Sequence, residues 1–334
     1  MSELRKDPVV ERWVIISDDP LRSPSIAGKA PDSSTGIICP FCPGNEHLCP
    51  PEILSYRPHN SGTDENGWTL RVIPNRSPLL MVEENHQRMG EGLYDKITGV
   101  GANEVIIETP VHDIRQARMS TSQIENLFWT YRDRILDLKK DVRLRLVLIY
   151  KNCGGSAGAT LDHGYSLLLA LPIVPKVIAE EIAGAKKHFH YKERCIFCDV
   201  IRQEILADTR IVLETDFFAA IEPFAPRVPF ETWILPKRHS PRFEHVEPGE
   251  IHDLAVAFKE VLSRLDEALS SPDYNYFIHT APFGNECDAY FHWHMEILPR
   301  LMPMTGLEWG SELYYNSTPP EDAAKFLRSI TPAS

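Results

Sequence analysis

Two long stretches of the chain carry apolar residues at three- and four-residue steps, the spacing of an amphipathic helix with one buried stripe. The first follows Ser120, which with Gln123 has the form of a capping box, and predicts a helix over residues 120–139. The second begins near Pro248 and predicts a helix that runs through Leu269. Shorter helices are predicted over residues 177–190 and from residue 319 onward.

Short apolar runs bounded by turn-forming residues lie between these helices and predict β-strands. The predicted strands lie at the end of residues 8–17, in the stretch 161–172, and over residues 68–73, 104–108, 144–150, 211–214, 217–221, 230–239, 274–279 and 290–299. Residues 18–36 are rich in Pro, Ser, Gly and Asp, a composition that predicts a loop. A second loop of small residues is predicted at residues 154–159.

The last of these strands, residues 290–299, has the most unusual pattern. Side chains on a strand alternate between two faces. One face carries His292, His294 and Glu296, and the other carries Trp293, Met295 and Ile297. A row of two imidazoles and a carboxylate is typical of a metal ligand, a nucleophile and a polar partner held side by side. The alternative is a solvated face on which both histidines bind one metal ion.

Composition and charge narrow the function. The chain has 334 residues, 43% of them hydrophobic, which suits one large domain or two fused ones. Its formal charge of −12 argues against nucleic acid as a partner. A phosphorylated small molecule remains open, because a local cluster of Arg and Lys can bind it. No apolar run approaches membrane-spanning length, and residues 1–7 lack a signal peptide, so a cytoplasmic protein is expected.

The chain contains an internal repeat, with residues 1–173 and 174–334 showing the same order of parts. Each half has a Cys-x-x-Cys pair and two histidines, 51 residues apart in the first half (163−112) and 53 in the second (292−239). The two sets are Cys39, Cys42, His112 and His163, and Cys195, Cys198, His239 and His292. Two thiolates and two imidazoles form a complete tetrahedral zinc shell. The sequence therefore predicts two structural zinc ions per chain, the alternatives being a redox pair or unliganded core histidines.

The other three cysteines, Cys49, Cys153 and Cys287, have no matching partners and are expected to be ordinary thiols. Together with the two Cys-x-x-Cys pairs they make seven, an odd number. In a chain with no secretion signal, this usage points to metal or redox chemistry and away from a disulfide framework.

Several motifs resemble the galactose-1-phosphate uridylyltransferase branch of the histidine triad superfamily, which also contains ADP-glucose phosphorylases. They are CPFCPGN at residues 39–45, ETPVH at 108–112, GGSAGA at 154–159, DHGYS at 162–166, CIFC at 195–198, PKRH at 236–239 and HWHMEILP at 292–299. The resemblance implies an α+β fold of two fused histidine-triad-like halves, each an antiparallel sheet with helices. It also implies a homodimer and a place in galactose or other carbohydrate metabolism.

The first half departs from the family pattern. In the family, an H-x-H-x-Q strand supplies a metal ligand, a nucleophile and an amide that binds phosphate. Here the nucleophile position is Tyr165 and the amide position is Leu167. Tyrosine is a weak nucleophile near neutral pH, and leucine cannot hydrogen-bond a phosphate. Residues 20–23 also stand where family members tend to have a more basic, nucleotide-binding stretch.

The second half instead keeps the histidine order, with Glu296 in the third place. The hypothesis is that catalysis has moved to this half, with His294 attacking the α-phosphorus of a nucleotide sugar in a ping-pong reaction. Glu296 would then be protonated, bound to a sugar hydroxyl or paired with a cation, and the sequence does not choose. The alternative is a protein in which neither half is catalytic and which has a structural or binding role.

Substrate-binding residues are expected near the strand and in the C-terminal segment, which resembles the sugar-binding region of the family. The candidates are Arg300, Asn285, Glu308 and Asn316, with Arg227, Lys237 and Arg238 as further cations. The acceptor of the nucleotide would be a hexose 1-phosphate, as in a UDP-glucose–hexose-1-phosphate uridylyltransferase. The alternatives are a nucleotide-sugar phosphorylase or hydrolase, and a zinc-stabilised binding protein without turnover.

Overall fold

The computed structural model describes residues 2–17, 38–58 and 62–332. The loop predicted at residues 18–36, including residues 20–23, falls outside these ranges. The described helices are α1 (Thr121–Leu138), α2 (Lys176–Lys192), α3 (Ile196–Ala207), α4 (Pro248–Leu269), α5 (Gly306–Ser311) and α6 (Pro320–Ser329). The described strands are β1 (Glu3–Lys6), β2 (Trp13–Ile16), β3 (Leu54–Tyr56), β4 (Leu70–Pro74), β5 (Arg88–Glu91), β6 (Tyr94–Thr98), β7 (Ala102–Ile107), β8 (Leu146–Cys153), β9 (Tyr165–Leu171), β10 (Ile211–Glu214), β11 (Phe218–Ile221), β12 (Thr232–Pro236), β13 (Tyr274–His279) and β14 (His294–Pro299).

A ten-stranded antiparallel sheet runs through both halves of the chain, in the order β10-β11-β12-β14-β13-β8-β9-β7-β4-β3. Each half contributes five strands, and the two sets of five follow the same order from the outer edge to the centre. They join where β8 pairs with β13, with Tyr150 opposite Phe277. The α+β fold class with antiparallel sheets is thereby confirmed, and the domain boundary at residue 173 stays a prediction.

Helices cover both faces of this sheet. The predicted stripes of α1 and α4 are buried against one face, and the capping box of Ser120 and Gln123 is present. Residues of α2 and α3 pack against the other face, beside strand residues such as Leu235. None of the helices in the described part of the chain combines the length and apolarity needed to cross a bilayer. The cytoplasmic location stays a prediction.

Some elements were not predicted. Helix α3 begins directly after Cys195, in a stretch interpreted only as a metal-binding pair, and it buries Phe197 and Ile201. The six-residue α5 has no buried residue and so left no apolar period to find. The separate four-stranded sheet, in the order β2-β1-β6-β5, includes the fully exposed β5, which has no alternation of buried and exposed positions.

The strand predicted over residues 290–299 is shorter than expected, because β14 begins only at His294. Before that point the backbone bonds to loops and not to a neighbouring strand. The amide of Trp293 donates to the carbonyl of Ser240 at 2.9 Å, and the amide of Phe291 donates to Cys287 at 2.8 Å. The prediction was therefore wrong for residues 290–293, and His292 precedes the strand.

Candidate active site and metal-binding groups

In the first half, the predicted Cys/His set comes together in space. The possible ligand atoms of these four residues, Cys39, Cys42, His112 and His163, all lie within 4.8 Å of one another. The Nδ1 atom of His163 is 3.6 Å from the Cys39 sulfur, and Nδ1 of His112 is 3.3 Å from the Cys42 sulfur. The other ring nitrogen of His163 donates to the carbonyl of Thr109 at 2.7 Å.

The second half repeats this arrangement with Cys195, Cys198, His239 and His292, again within 4.8 Å. The Cys198 sulfur is 3.5 Å from Nδ1 of His239 and 3.6 Å from Nδ1 of His292. Nε2 of His292 bonds to the carbonyl of Pro236 at 2.9 Å, and Nε2 of His239 bonds to the carbonyl of Asp288 at 2.8 Å. In both halves one histidine is buried and the other exposed.

Both groups fit a tetrahedral metal ion. Zinc–sulfur and zinc–nitrogen bonds of about 2.3 and 2.0–2.1 Å imply a sulfur–nitrogen edge of roughly 3.6 Å. The sulfur–nitrogen distances in the two groups run from 3.3 to 3.8 Å. Because Nε2 of His163, His239 and His292 faces a carbonyl oxygen, it carries the proton and leaves the Nδ1 lone pair for a metal.

The first-half nucleophile position is a packed tyrosine. Tyr165 is 5% exposed, and its ring lies 5.5 Å from that of Phe41. Its hydroxyl accepts a hydrogen bond from the amide of Thr160 at 3.1 Å, and its carbonyl accepts one from Lys151 at 2.9 Å. The residue thus takes part in the packing of a hydrophobic cluster, beside the half-buried Leu167.

The ring of His294 is completely buried. It stacks between Trp233 and Phe197, with ring centroids 5.2 and 5.1 Å away. Its Nδ1 lies 3.0 Å from the carbonyl oxygen of His292, and its Nε2 lies 3.2 Å from a carboxylate oxygen of Glu296. Since both ring nitrogens face acceptors, this surrounding favours the doubly protonated imidazolium. The orientation through Nδ1 is the one expected of the nucleophile, but Nε2 is covered.

Glu296 is paired with cations. Its carboxylate bonds to the guanidinium of Arg227, which also bonds to Glu231. Burial alone would raise the pKa of Glu296, but the hydrogen bond with His294 and the charges of His279 and Arg227 lower it to about 2. Of the three states left open by the sequence, the structure therefore favours an ionised carboxylate paired with a cation.

The pKa of His294 moves in the opposite direction. Burial lowers the pKa of this histidine, but the hydrogen bond to Glu296 and the charge of Glu181 raise it overall. The positively charged form of His294 and the negatively charged form of Glu296 thus stabilise each other in the buried site.

We expect Glu296→Gln to lower the pKa of His294, because the change removes the negative charge that holds the proton on Nε2. Following the ring nitrogen shifts of His294 by NMR across a pH series measures this pKa directly. The matched control is Glu267→Gln, which removes one charge from an exposed position of α4. A pKa that responds equally to both changes would contradict the assignment.

A third group, missed in the sequence, surrounds the same imidazole. Glu181 on α2 and His279 at the end of β13 join His294 and Glu296, with possible ligand atoms all within 4.8 Å. Two imidazoles and two carboxylates suit a divalent transition metal such as zinc, iron or manganese. Glu181 lies on α2 and His279 on β13, away from the motif on β14 that holds His294 and Glu296, so no sequence signal identified these two residues. A metal ion here would use the nitrogen that the nucleophile hypothesis requires.

The predicted substrate-binding residues are divided between two regions. Arg300 and Glu308 line a cavity of about 510 Å³, together with Arg227. Asn316 lies near this cavity and donates to the carbonyl of Pro226 at 3.3 Å. Asn285 is exposed in a loop and is not among the residues that line the cavity. The further cations Lys237 and Arg238 are paired with Glu214 and Glu250. His294 is also absent from the cavity wall.

One family model and several curated proteins are similar to this chain. The model of the galactose-1-phosphate uridyl transferase C-terminal domain matches residues 181–305. The ADP-glucose phosphorylase of Arabidopsis thaliana is 35% identical over 336 residues, covering 98% of this chain and 93% of the relative. The galactose-1-phosphate uridylyltransferase of Thermotoga maritima is 30% identical over 337 residues, covering 98% of each.

Solved structures agree with the sequence comparisons. The crystal structure of an ADP-glucose phosphorylase from Arabidopsis thaliana with bound ADP-glucose matches with a TM-score of 0.78 and 33% identity, over 99% of this chain and 100% of that one. A uridylyltransferase structure matches with a TM-score of 0.82 and 26% identity, over 98% and 97%. The likeness therefore extends over both halves and not only over the C-terminal domain.

Proposed function

The chain belongs to the galactose-1-phosphate uridylyltransferase family, within the histidine triad superfamily, and on this basis we propose that it transfers a nucleotidyl group from a nucleotide sugar. The proposed nucleophile is His294 of the second half. The acceptor is a hexose 1-phosphate, as in the uridylyltransferases, or inorganic phosphate, as in a phosphorylase.

The observation that supports this proposal is the hydrogen bond between Nδ1 of His294 and the carbonyl of His292, at 3.0 Å. Donation from Nδ1 fixes the ring and leaves Nε2 as the attacking atom once it loses its proton. We assign zinc to both Cys/His groups, where it would hold the segments around His163 and His292 without contacting substrate.

In the proposed reaction, Nε2 of His294 forms a bond to the α-phosphorus while the bond from that phosphorus to the bridging oxygen breaks. The sugar 1-phosphate leaves with the bridging oxygen, and an oxygen of the acceptor phosphate later displaces the histidine in the same way. Glu296 covers Nε2 at 3.2 Å, so the attack requires this carboxylate to move away and the Nε2 proton to pass to water.

Covalent labelling tests the proposal. Incubation with ADP-glucose or UDP-glucose labelled in the α-phosphate should label the protein, and His294→Ala should abolish the label completely. Tyr165→Phe should keep it, because the tyrosine hydroxyl has no part in the transfer. Release of the label by glucose 1-phosphate identifies a transferase, whereas release by inorganic phosphate identifies a phosphorylase. Label that persists in His294→Ala would refute the nucleophile.

The burial of His294 favours a second candidate, a zinc-stabilised protein that binds a nucleotide sugar without turnover. Both nucleophile positions are closed, one by the packed Tyr165 and the other by Glu296. Under this function the wild-type protein binds ADP-glucose or UDP-glucose in calorimetry, yet acquires no label from either. The predicted homodimer has no bearing on the choice and stays a prediction.

A further inference from the structure

The cavity of about 510 Å³ lies beside the C-terminal end of β14, between Arg227 and Arg300. Its volume falls in the range of about 300–1,000 Å³ that is typical of small-molecule sites. Its walls are mostly apolar and aromatic, formed by Leu298, Met302, Met304, Leu307, Tyr314 and Tyr315. Such walls accommodate a planar or apolar part of a ligand, and the two guanidinium groups add a site for an anion.

Arg300 is the strongest indication of an anionic ligand. Its side chain is half-buried, and no hydrogen bond or ion pair of its guanidinium is found within the described ranges 2–17, 38–58 and 62–332. Arg227, which lines the same cavity, differs because its guanidinium is paired with Glu231 and Glu296. Its charge is therefore available to an anion that enters the cavity.

Arg300 also borders a second hollow of about 450 Å³, which reaches Ser156 and the exposed Trp309. Arg300 therefore lies on the wall that the cavity and this second hollow share. A ligand with a phosphate between two larger groups would place its charge at this arginine, with one group in each space. Glu308, the carboxylate on the cavity wall, accepts hydrogen bonds from the amide and hydroxyl of Thr305.

Arg227 also lines the cavity. Its guanidinium bonds to Glu231 and Glu296 and lies 5.7 Å from the ring centroid of Phe277. A phosphate in the cavity would share this guanidinium with the two carboxylates. Because Glu296 is the group that covers His294, such sharing would weaken one of the contacts that keep Glu296 in place.

We propose that this cavity binds the phosphate of a nucleotide, with Arg300 as the main contact and Arg227 as a second one. The inference rests on the proposed function for the nature of the ligand, a nucleoside phosphate or its sugar ester. It assigns Arg300 a binding role in the cavity, whereas the chemistry at His294 is a separate question.

Calorimetric titration of the full chain with UMP, AMP and uridine tests this assignment. Arg300→Met should weaken the binding of whichever monophosphate binds by at least about tenfold, as expected for lost charge-assisted hydrogen bonds. Uridine binding should not change, because uridine has no phosphate. Arg88→Met is the matched control, since it removes the same charge from the exposed strand β5 and should leave binding unchanged.

Arg300→Lys keeps a positive charge and should retain more affinity than Arg300→Met, which guards against an effect of misfolding. The absence of UMP and AMP binding to the wild-type protein, or binding that Arg300→Met leaves unchanged, would overturn the assignment. The two proposals fail separately. Normal binding without covalent label would refute only His294, and normal label with binding insensitive to Arg300 would refute only the cavity.

Discussion

Cys195→Ser is expected to remove one metal ion per chain and to destabilise the second half by several kcal/mol. The ligand set ties together the start of α3, the loop after β12 and the segment before β14, so its loss frees three elements at once. Structural zinc contributes about 10–16 kcal/mol to the folding of small peptides. If only about 3 kcal/mol of such a contribution were lost, the melting temperature would fall by about 6–12 °C.

Metal analysis of the purified protein and thermal denaturation followed by circular dichroism measure the two effects. Cys153→Ser is the matched control, because Cys153 lies at the end of β8, away from both Cys/His groups. It should keep the full metal content and the wild-type melting temperature. If Cys195→Ser also kept the full metal content, the second Cys/His group would not be a metal site.

The two Cys/His groups could be predicted from the sequence because the motif that marks them is short and occurs in both halves. A Cys-x-x-Cys pair fixes two ligands within one turn, and the nearly equal histidine spacings of the halves supply the other two. The long helices could be predicted for a similar reason, since the apolar positions of α1 and α4 recur over about four or more turns.

The burial of His294 could not be predicted from the sequence. It depends on Phe197 from α3 and Trp233 from β12, which stack on the ring. Glu181 from α2 and His279 from β13 meet it only when the sheet and helices pack. Alternation along the strand correctly placed Trp293 and Met295 in the core and His294 on the opposite face. It could not show that this opposite face is also buried. Alternation assigns side chains to two faces of a sheet but does not show whether helices cover each face.

Lys151→Met is expected to destabilise the protein by about 3–5 kcal/mol, the usual cost of breaking a buried ion pair by removing one partner. The Lys151 ammonium group lies 2.8 Å from Glu108, and the two side chains are 4% and 0% exposed. The ammonium group also donates to the carbonyl of Tyr165 at 2.9 Å. Without it, the one hydrogen bond to the Glu108 carboxylate that remains among the described residues comes from Gln116.

Chemical denaturation of Lys151→Met, Glu108→Gln and the double variant measures this coupling. The double variant should lose less stability than the sum of the two single changes, because it leaves no unpaired buried charge. Lys140→Met is the control, since Lys140 pairs with Asp137 on the surface and should change stability by about 0.5 kcal/mol or less. Additive losses would contradict the pairing. A large coupling would show that the buried ion pair helps to hold the strand of Tyr165 in place.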